Sequence, residues 1–229
     1  QYQIISRKDM LNSESNIKLP YPLWIRDFAE GTTSGKGSLM ASCYEDVKAW
    51  AVINKGIPYF MLSEYLPGRN LACFTLFSKG KLLKYGVAQR INYLMDKVAV
   101  SGITGNTSKG KLLNDKKGLD VALDAILSII TKTSETMNGL VVTDLKEDIK
   151  GNPIITEINI RHVAFTSTFA NAGLNFSEYQ MMILTGRESE IPSELTMTFP
   201  NDNIMLRDVD GIPIYMEHYN TIQIGEYYG

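Results

Sequence analysis

Apolar residues alternate with polar ones, or run together in short blocks, over most of this chain, and turn residues punctuate the blocks at short intervals. Tyr2–Ser6 reads as a strand, a polar turn follows around Asn12–Asn16, and Pro22–Arg26 reads as a strand ending on a cation. Ser42-Cys43-Tyr44-Glu45 has the spacing of a capping box and opens a helix carrying Val47, Trp50, Ala51 and Ile53 on its apolar side, stopped near Gly56. Ile57–Tyr65 and Leu71–Phe77 read as strands separated by Leu66-Pro67-Gly68-Arg69-Asn70, a candidate hinge. Ser78–Lys81 turns the second of them into Leu82–Gln89. Ser101–Ser108 reads as a flexible linker. Leu119, Ala122, Leu123, Ile126, Ile129 and Ile130 then recur at helical spacing, and Asn138-Gly139 closes that segment.

Two further strand-like runs follow, Gly139–Leu145 and Gly151–Arg161, joined by the polar turn Lys146–Lys150, which Gly151-Asn152-Pro153 closes as a hairpin. Beyond them, 162–172 reads as a helix, a second helix starts at Asn175-Phe176-Ser177-Glu178 and stops at Gly186, and 196–199, 204–208 and 212–215 read as short strands. On strict alternation Glu157, Asn159 and Arg161 share one face of the hairpin, and Ile154, Thr156, Ile158 and Ile160 the other. A carboxylate, an amide oxygen and a guanidinium on one side of a buried hairpin need compensation. A hard cation suits Glu157 and Asn159, and Asp144 on the neighbouring strand could supply a second carboxylate. Spacing alone leaves open an ordinary solvated hairpin with its Glu and Arg in water.

The chain has 229 residues, a net charge of −2 and 44% hydrophobic residues, enough for one domain or two lobes with a core. Charge near neutrality without a basic block argues against a nucleic-acid surface, and no apolar run is long enough to span a membrane. Cys43 and Cys73 fit neither a metal spacing nor a disulfide framework, and with no signal peptide in view the expectation is a cytoplasmic protein with a small-molecule partner. His162 and His218 are isolated, without a cluster that would make them ligands. The segment Glu30–Met40 is rich in glycine and hydroxyl residues. Its Gly35, Lys36 and Gly37 could cradle phosphate, although the spacing is wrong for a P-loop, and a mobile hairpin tip is the other reading.

Taken in order, Arg26, the glycine segment with Lys36, the strand through Glu64 into Leu66-Pro67-Gly68, then Asp144, Glu157 and Asn159 resemble the ATP-grasp superfamily. Over Pro22–Arg161 the chain is similar to the ATP-binding domain of the carbamoyl-phosphate synthetase large subunit. The run Glu157-Ile158-Asn159-Ile160-Arg161 is similar to the family's Glu-x-Asn-x-Arg metal motif. The resemblance implies an α+β fold of two lobes with antiparallel sheets, 1–66 and 67–229, gripping ATP. It implies adenine held around Glu64, Tyr65 and Leu66, phosphates contacted by Arg26, Gly35, Lys36 and Gly37, and Mg²⁺ or Mn²⁺ held by Asp144, Glu157 and Asn159. Arg161, and Lys36 with it, would lie by the transferred phosphoryl group. The implied activity is a ligase that activates an unidentified carboxylate as an acyl phosphate for attack by an amine or similar nucleophile. A catalytically silent nucleotide sensor or assembly module, and a phosphotransferase without ligation, are the alternatives. Asn70 stands where relatives carry a ribose-binding Glu, and Ile160 where many have proline. Relatives also carry an N-terminal domain that the chain, beginning at Gln1, is expected to lack.

Overall fold

The computed structural model describes residues 1–28, 38–94, 96–102, 106–208, 211 and 213–218. The chain divides into two compact units, Gln1–Leu66 with Tyr93–Asn106 and Pro67–Asn92 with Thr107–Gly229, so the first boundary falls between Leu66 and Pro67. Among the described residues no helix is long and apolar enough to cross a membrane.

The first unit holds a four-stranded antiparallel sheet. Its strands are β1 (Tyr2–Ser6), β2 (Leu23–Asp27), β3 (Ser38–Ala41) and β4 (Tyr59–Glu64), in the order β1-β4-β2-β3. Two helices, α1 (Arg7–Asn12) and α2 (Tyr44–Ile53), cover one face. Met10, Val47, Trp50 and Ala51 from these helices pack with Ile5, Leu23, Ile25, Phe60 and Leu62 from the strands. The polar turn expected near residue 12 is therefore a short helix, capped by the Ser6 hydroxyl accepting from the Asp9 N–H, and then a 3₁₀ turn over Glu14–Asn16. The expected capping box is also replaced. Cys43 sits at the N-cap without a side-chain bond, and the Asp46 carboxylate reaches back to the Ser42 N–H at 2.8 Å.

The second unit is built on a seven-stranded sheet in the order β11-β10-β7-β6-β5-β8-β9. The strands are β5 (Asn70–Ser78), β6 (Lys81–Tyr93), β7 (Thr107–Leu113), β8 (Gly139–Glu147), β9 (Pro153–Asn159), β10 (Ile204–Leu206) and β11 (Ile214–Met216). Helix α3 (Lys117–Thr133) lies on one face, its Leu119, Ala122 and Ile126 packing on Leu71, Cys73, Val87, Val141 and Leu145. Helices α4 (Thr166–Asn171) and α5 (Phe176–Leu184) cover the other, where Phe74, Phe169 and Phe176 stack within 4.8–5.5 Å of one another.

Several expectations change. The end of the linker expected over 101–108 enters β7, whose Thr107, Gly110 and Leu112 are buried. Expected helix 162–172 is shortened to α4, and 196–199 forms no strand. α3 stops at Ser134 in the left-handed conformation, φ 56°, four residues before Asn138. Two glycines set how closely α4 can approach. A Cβ on Gly86 would stand 2.5 Å from Phe169, and one on Gly110 would stand 2.5 Å from Phe165. Bare backbone at these points in β6 and β7 seats both rings, and with them the start of α4 over β6 and β7.

Candidate functional site

β9 is the edge strand of its sheet and half open to solvent, while its partner β8 is largely buried, so only the β8 side of the hairpin is buried as expected. Nor does β9 alternate strictly. The register steps from Asp144↔Glu157 to Leu145↔Ile155, which leaves Thr156 as an extra residue with its hydroxyl donating to the Asp144 carbonyl at 3.2 Å. The bulge turns Ile155 and Ile158 together toward α3 and moves Ile154 to the side of Glu157 and Asn159, correcting the alternation read from the sequence.

The bulge leaves the polar residues facing one another. Asp144 lies directly opposite Glu157, and Val142 directly opposite Asn159, so all three oxygen-bearing side chains share the face that also carries Ala72, Phe74 and Leu140. Directly paired residues have Cβ atoms about 4.5–5.5 Å apart. Two carboxylates and an amide oxygen are the donor chemistry that suits a hard dication, with substrate oxygens and water completing an octahedron. Glu157 is exposed and Asn159 is buried at 9%. Among the described residues no group of three or more Asp, Glu, His or Cys gathers, so a cation here would draw on Asn159 and on its ligand for the remaining oxygens.

The sequence reading missed Arg90. From β6 its side chain crosses β5, and one terminal nitrogen donates to Asp144 Oδ1 at 2.7 Å while the other donates to the Leu71 carbonyl at 3.3 Å. Both partners are largely buried, 12% and 19% exposed. The crossing is open because Ala72, the β5 residue directly opposite Asp144, has only a methyl group. A charge at the end of a strand hairpin carries no mark of that partner in the sequence, since the pairing depends on which strand becomes the third in order.

Arg161 follows β9 and is exposed, with one terminal nitrogen donating to the His162 carbonyl at 3.2 Å. His162 bonds Gln180 through Nε2 at 3.1 Å, which ties the turn after β9 to α5. Arg161, His162, Asn138, Gly139, Ile130 and Gln180 border a groove of about 630 Å³.

The remaining expected positions lie on the first unit. Arg26 is on β2, and with Trp24 it points away from the α1–α2 face that Leu23 and Ile25 occupy. Glu64 ends β4. Tyr65 follows it, its ring centroid 6.4 Å from that of Trp24, and Leu66 ends the unit's first segment. Gly35, Lys36 and Gly37 lie outside the described residues.

Just past Leu66 the chain is fastened to its own unit. The Gly68 N–H donates to the Glu147 carbonyl at 2.9 Å, and Arg69 donates to both Glu147 carboxylate oxygens, at 2.8 and 2.5 Å, and to Asp115 at 3.0 Å. Hydrogen bonding from Arg69 holds the Glu147 carboxyl below the usual carboxylate range, against the opposing effect of burial. A Cβ on Gly68 would stand 2.5 Å from Glu147 Cβ, so only glycine lets the segment lie this close.

No family model matches the chain, and no curated protein matches it in sequence. Solved structures do match in fold. Carboxyaminoimidazole ribonucleotide synthase from Aspergillus clavatus, solved with ATP, superposes with a TM-score of 0.63 at 14% identity, over 90% of this chain and 51% of that one. Phosphoribosylamine–glycine ligase from Thermotoga maritima gives 0.60 at 17% identity, over 90% and 54%. The biotin carboxylase domain of 2-oxoglutarate carboxylase from Hydrogenobacter thermophilus, solved with MgADP and bicarbonate, gives 0.55 at 15% identity, over 86% and 44%. The chain therefore has the ATP-grasp fold, as the sequence resemblance implies, and spans about half the length of these neighbours. They are synthases, ligases and carboxylases, while a likeness to carbamoyl-phosphate synthetase in particular is not among these findings.

Proposed function

We propose that this chain is the nucleotide-binding part of an ATP- and Mg²⁺-dependent ligase, which activates a carboxylate as an acyl phosphate and passes the acyl group to an amine or similar nucleophile. The facing of Asp144 and Glu157 across β8 and β9, with Asn159 one residue pair further on the same face, carries this reading. The fold neighbours support it. One was solved with ATP, one with MgADP and bicarbonate, and one is named for joining glycine to an amine.

In this scheme Mg²⁺, or Mn²⁺ in its place, would supply the positive charge that offsets that of the phosphates. Asp144, Glu157 and Asn159 would hold that cation through their oxygens, and so place it against the phosphates. Arg161 stabilises the equatorial oxygens of the phosphoryl group as a carboxylate oxygen bonds to the γ-phosphorus and the bond to ADP breaks. The amine then attacks the acyl carbon, phosphate leaves with the bonding electron pair, and the nitrogen loses a proton. On the first unit, Glu64, Tyr65 and Leu66 hold the adenine, and Arg26 together with Gly35, Lys36 and Gly37 binds the phosphates. The chain works in the cytoplasm, in keeping with Cys43 and Cys73, which are both free thiols.

The test is to incubate the protein with Mg·ATP, a panel of carboxylic acids and hydroxylamine. An active carboxylate yields ADP and a hydroxamate in equal amounts. ADP with a stable phosphorylated product and no hydroxamate would favour a phosphotransferase, and nucleotide binding with no turnover of any acid would favour a sensor.

A further inference from the structure

The ion pair between Arg90 and Asp144 lies on the residues that the proposed function gives to the cation, and the inference drawn from it rests on that reading. Four charged side chains lie on this face of the sheet in adjacent register rows; among the described residues Arg90 and Asp144 form the ion pair, while Lys146 donates to the Gly68 carbonyl at 3.2 Å. Arg90 and Lys146 are cationic, Asp144 and Glu157 anionic, and Arg90 and Lys146 lie in one register row through Asn70 while Asp144 and Glu157 lie in the next. The charges balance as they stand. A dication added to Asp144 and Glu157 would leave two excess positive charges, one of them a guanidinium already 2.7 Å from the carboxylate the metal needs. Like charges held this close in a partly desolvated place repel strongly. Arriving with an oxyanion such as a nucleotide phosphate restores the balance and gives Arg90 another partner. The guanidinium's other anchor is a single 3.3 Å bond to the Leu71 carbonyl, and Ala72, beside Asp144 in the Asp144–Glu157 row, puts only a methyl group in the way of its turning.

We infer that Arg90 is a counter-ion gate: it occupies Asp144 until a divalent cation and a phosphate arrive together, so that the cation alone binds weakly and cation and nucleotide bind cooperatively. The device would keep the free protein from filling its site with metal and no nucleotide. It assigns Arg90 a positioning role in loading the site, distinct from metal ligation.

The experiment titrates Mn²⁺ against the whole chain by electron paramagnetic resonance and ADP by calorimetry with and without Mn²⁺. It compares the unaltered protein with Arg90→Gln, Arg90→Lys and Glu157→Gln, each checked for fold by circular dichroism. If Asp144 is open in about a tenth of unliganded molecules, Arg90→Gln tightens Mn²⁺ binding without nucleotide about tenfold. By linkage it then lowers the Mn²⁺–ADP coupling by the same factor. Arg90→Lys keeps the charge and stays near the unaltered protein, which gives a reading even if the Gln variant fails to fold, because a Lys variant with tenfold tighter Mn²⁺ would overturn the gate. A folded Arg90→Gln variant that binds Mn²⁺ alone no more tightly also overturns it, and leaves the proposed function standing if Mn·ADP still binds and Glu157→Gln abolishes that binding. Failure of the unaltered protein to bind Mn·ADP at all would sink both.

Discussion

Asp144 and Glu157 should respond very differently to neutralisation, although both are proposed cation ligands. Asp144 anchors a guanidinium that is only 12% exposed, whereas Glu157 stands on an edge strand in solvent. Removing one partner of a fully buried pair costs roughly 3–5 kcal/mol and of an exposed pair roughly 0–1 kcal/mol. At the burial seen here, Asp144→Ala falls between, at about 2 kcal/mol. Glu157→Gln stays within about 0.5 kcal/mol, as expected for a surface position. For a chain of this length 2 kcal/mol corresponds to a fall of about 4–8 °C in Tm. The probe has to sit in the second unit, because both tryptophans, Trp24 and Trp50, are in the first and their fluorescence would follow the wrong transition. Hydrogen exchange of the β5 and β8 amides reads the correct one. The pairing itself is isolated by Arg90→Met with Asp144→Leu, which removes both charges and should recover most of the loss. Equal stability of Asp144→Ala and Glu157→Gln, or a double variant as weak as Asp144→Ala, would refute the reasoning.

Other consequences follow from packing and charge. Gly86→Ala would put a methyl group 2.5 Å from Phe169 and 3.1 Å from Leu174, so the second unit should lose about 1–3 kcal/mol in urea unfolding, and a neutral result would mean α4 is not seated as described. The Glu147 carboxyl is held below its unfolded value, so its contribution to stability is present above the unfolded pKa and is lost as pH falls through the lower folded one. Glu147→Gln should therefore flatten the acid limb of the stability profile of the second unit, and an unchanged limb would remove Arg69–Glu147 as its cause.

Much of the architecture could be read from the chain because its periodicities are local. The spacing from Leu119 to Ile130 marked α3, and the turn at Ser78–Lys81 marked the β5–β6 hairpin, since each signal sits within one element and its neighbour. β7 escaped because Thr107, Lys109 and Lys111 dilute its apolar content, and its burial comes from residues far away in sequence, such as Asn203 bonding both the N–H and the carbonyl of Leu112. The candidate site was legible in the same uneven way. Glu157 and Asn159 stood out as a polar pair in an apolar strand, but one extra residue at Thr156 changed which neighbours shared their face, and nothing in the local sequence announces a bulge. Arg90 and Arg69 were invisible as functional groups for a related reason. Their partners, Asp144 and Glu147, lie 54 and 78 residues further on, and strand order decides those meetings.

The central claim is that Asp144, Glu157 and Asn159 bind a nucleotide through a divalent cation. It is tested most directly by calorimetry of ATP with the folded chain, in excess Mg²⁺ and again in excess chelator, for the unaltered protein and for Glu157→Gln. The account predicts that the unaltered protein binds ATP at least tenfold more tightly with Mg²⁺ than without, and that the variant loses this difference while keeping its fold. ATP affinity that is the same with and without Mg²⁺, or a variant that keeps the full Mg²⁺ dependence, would contradict it.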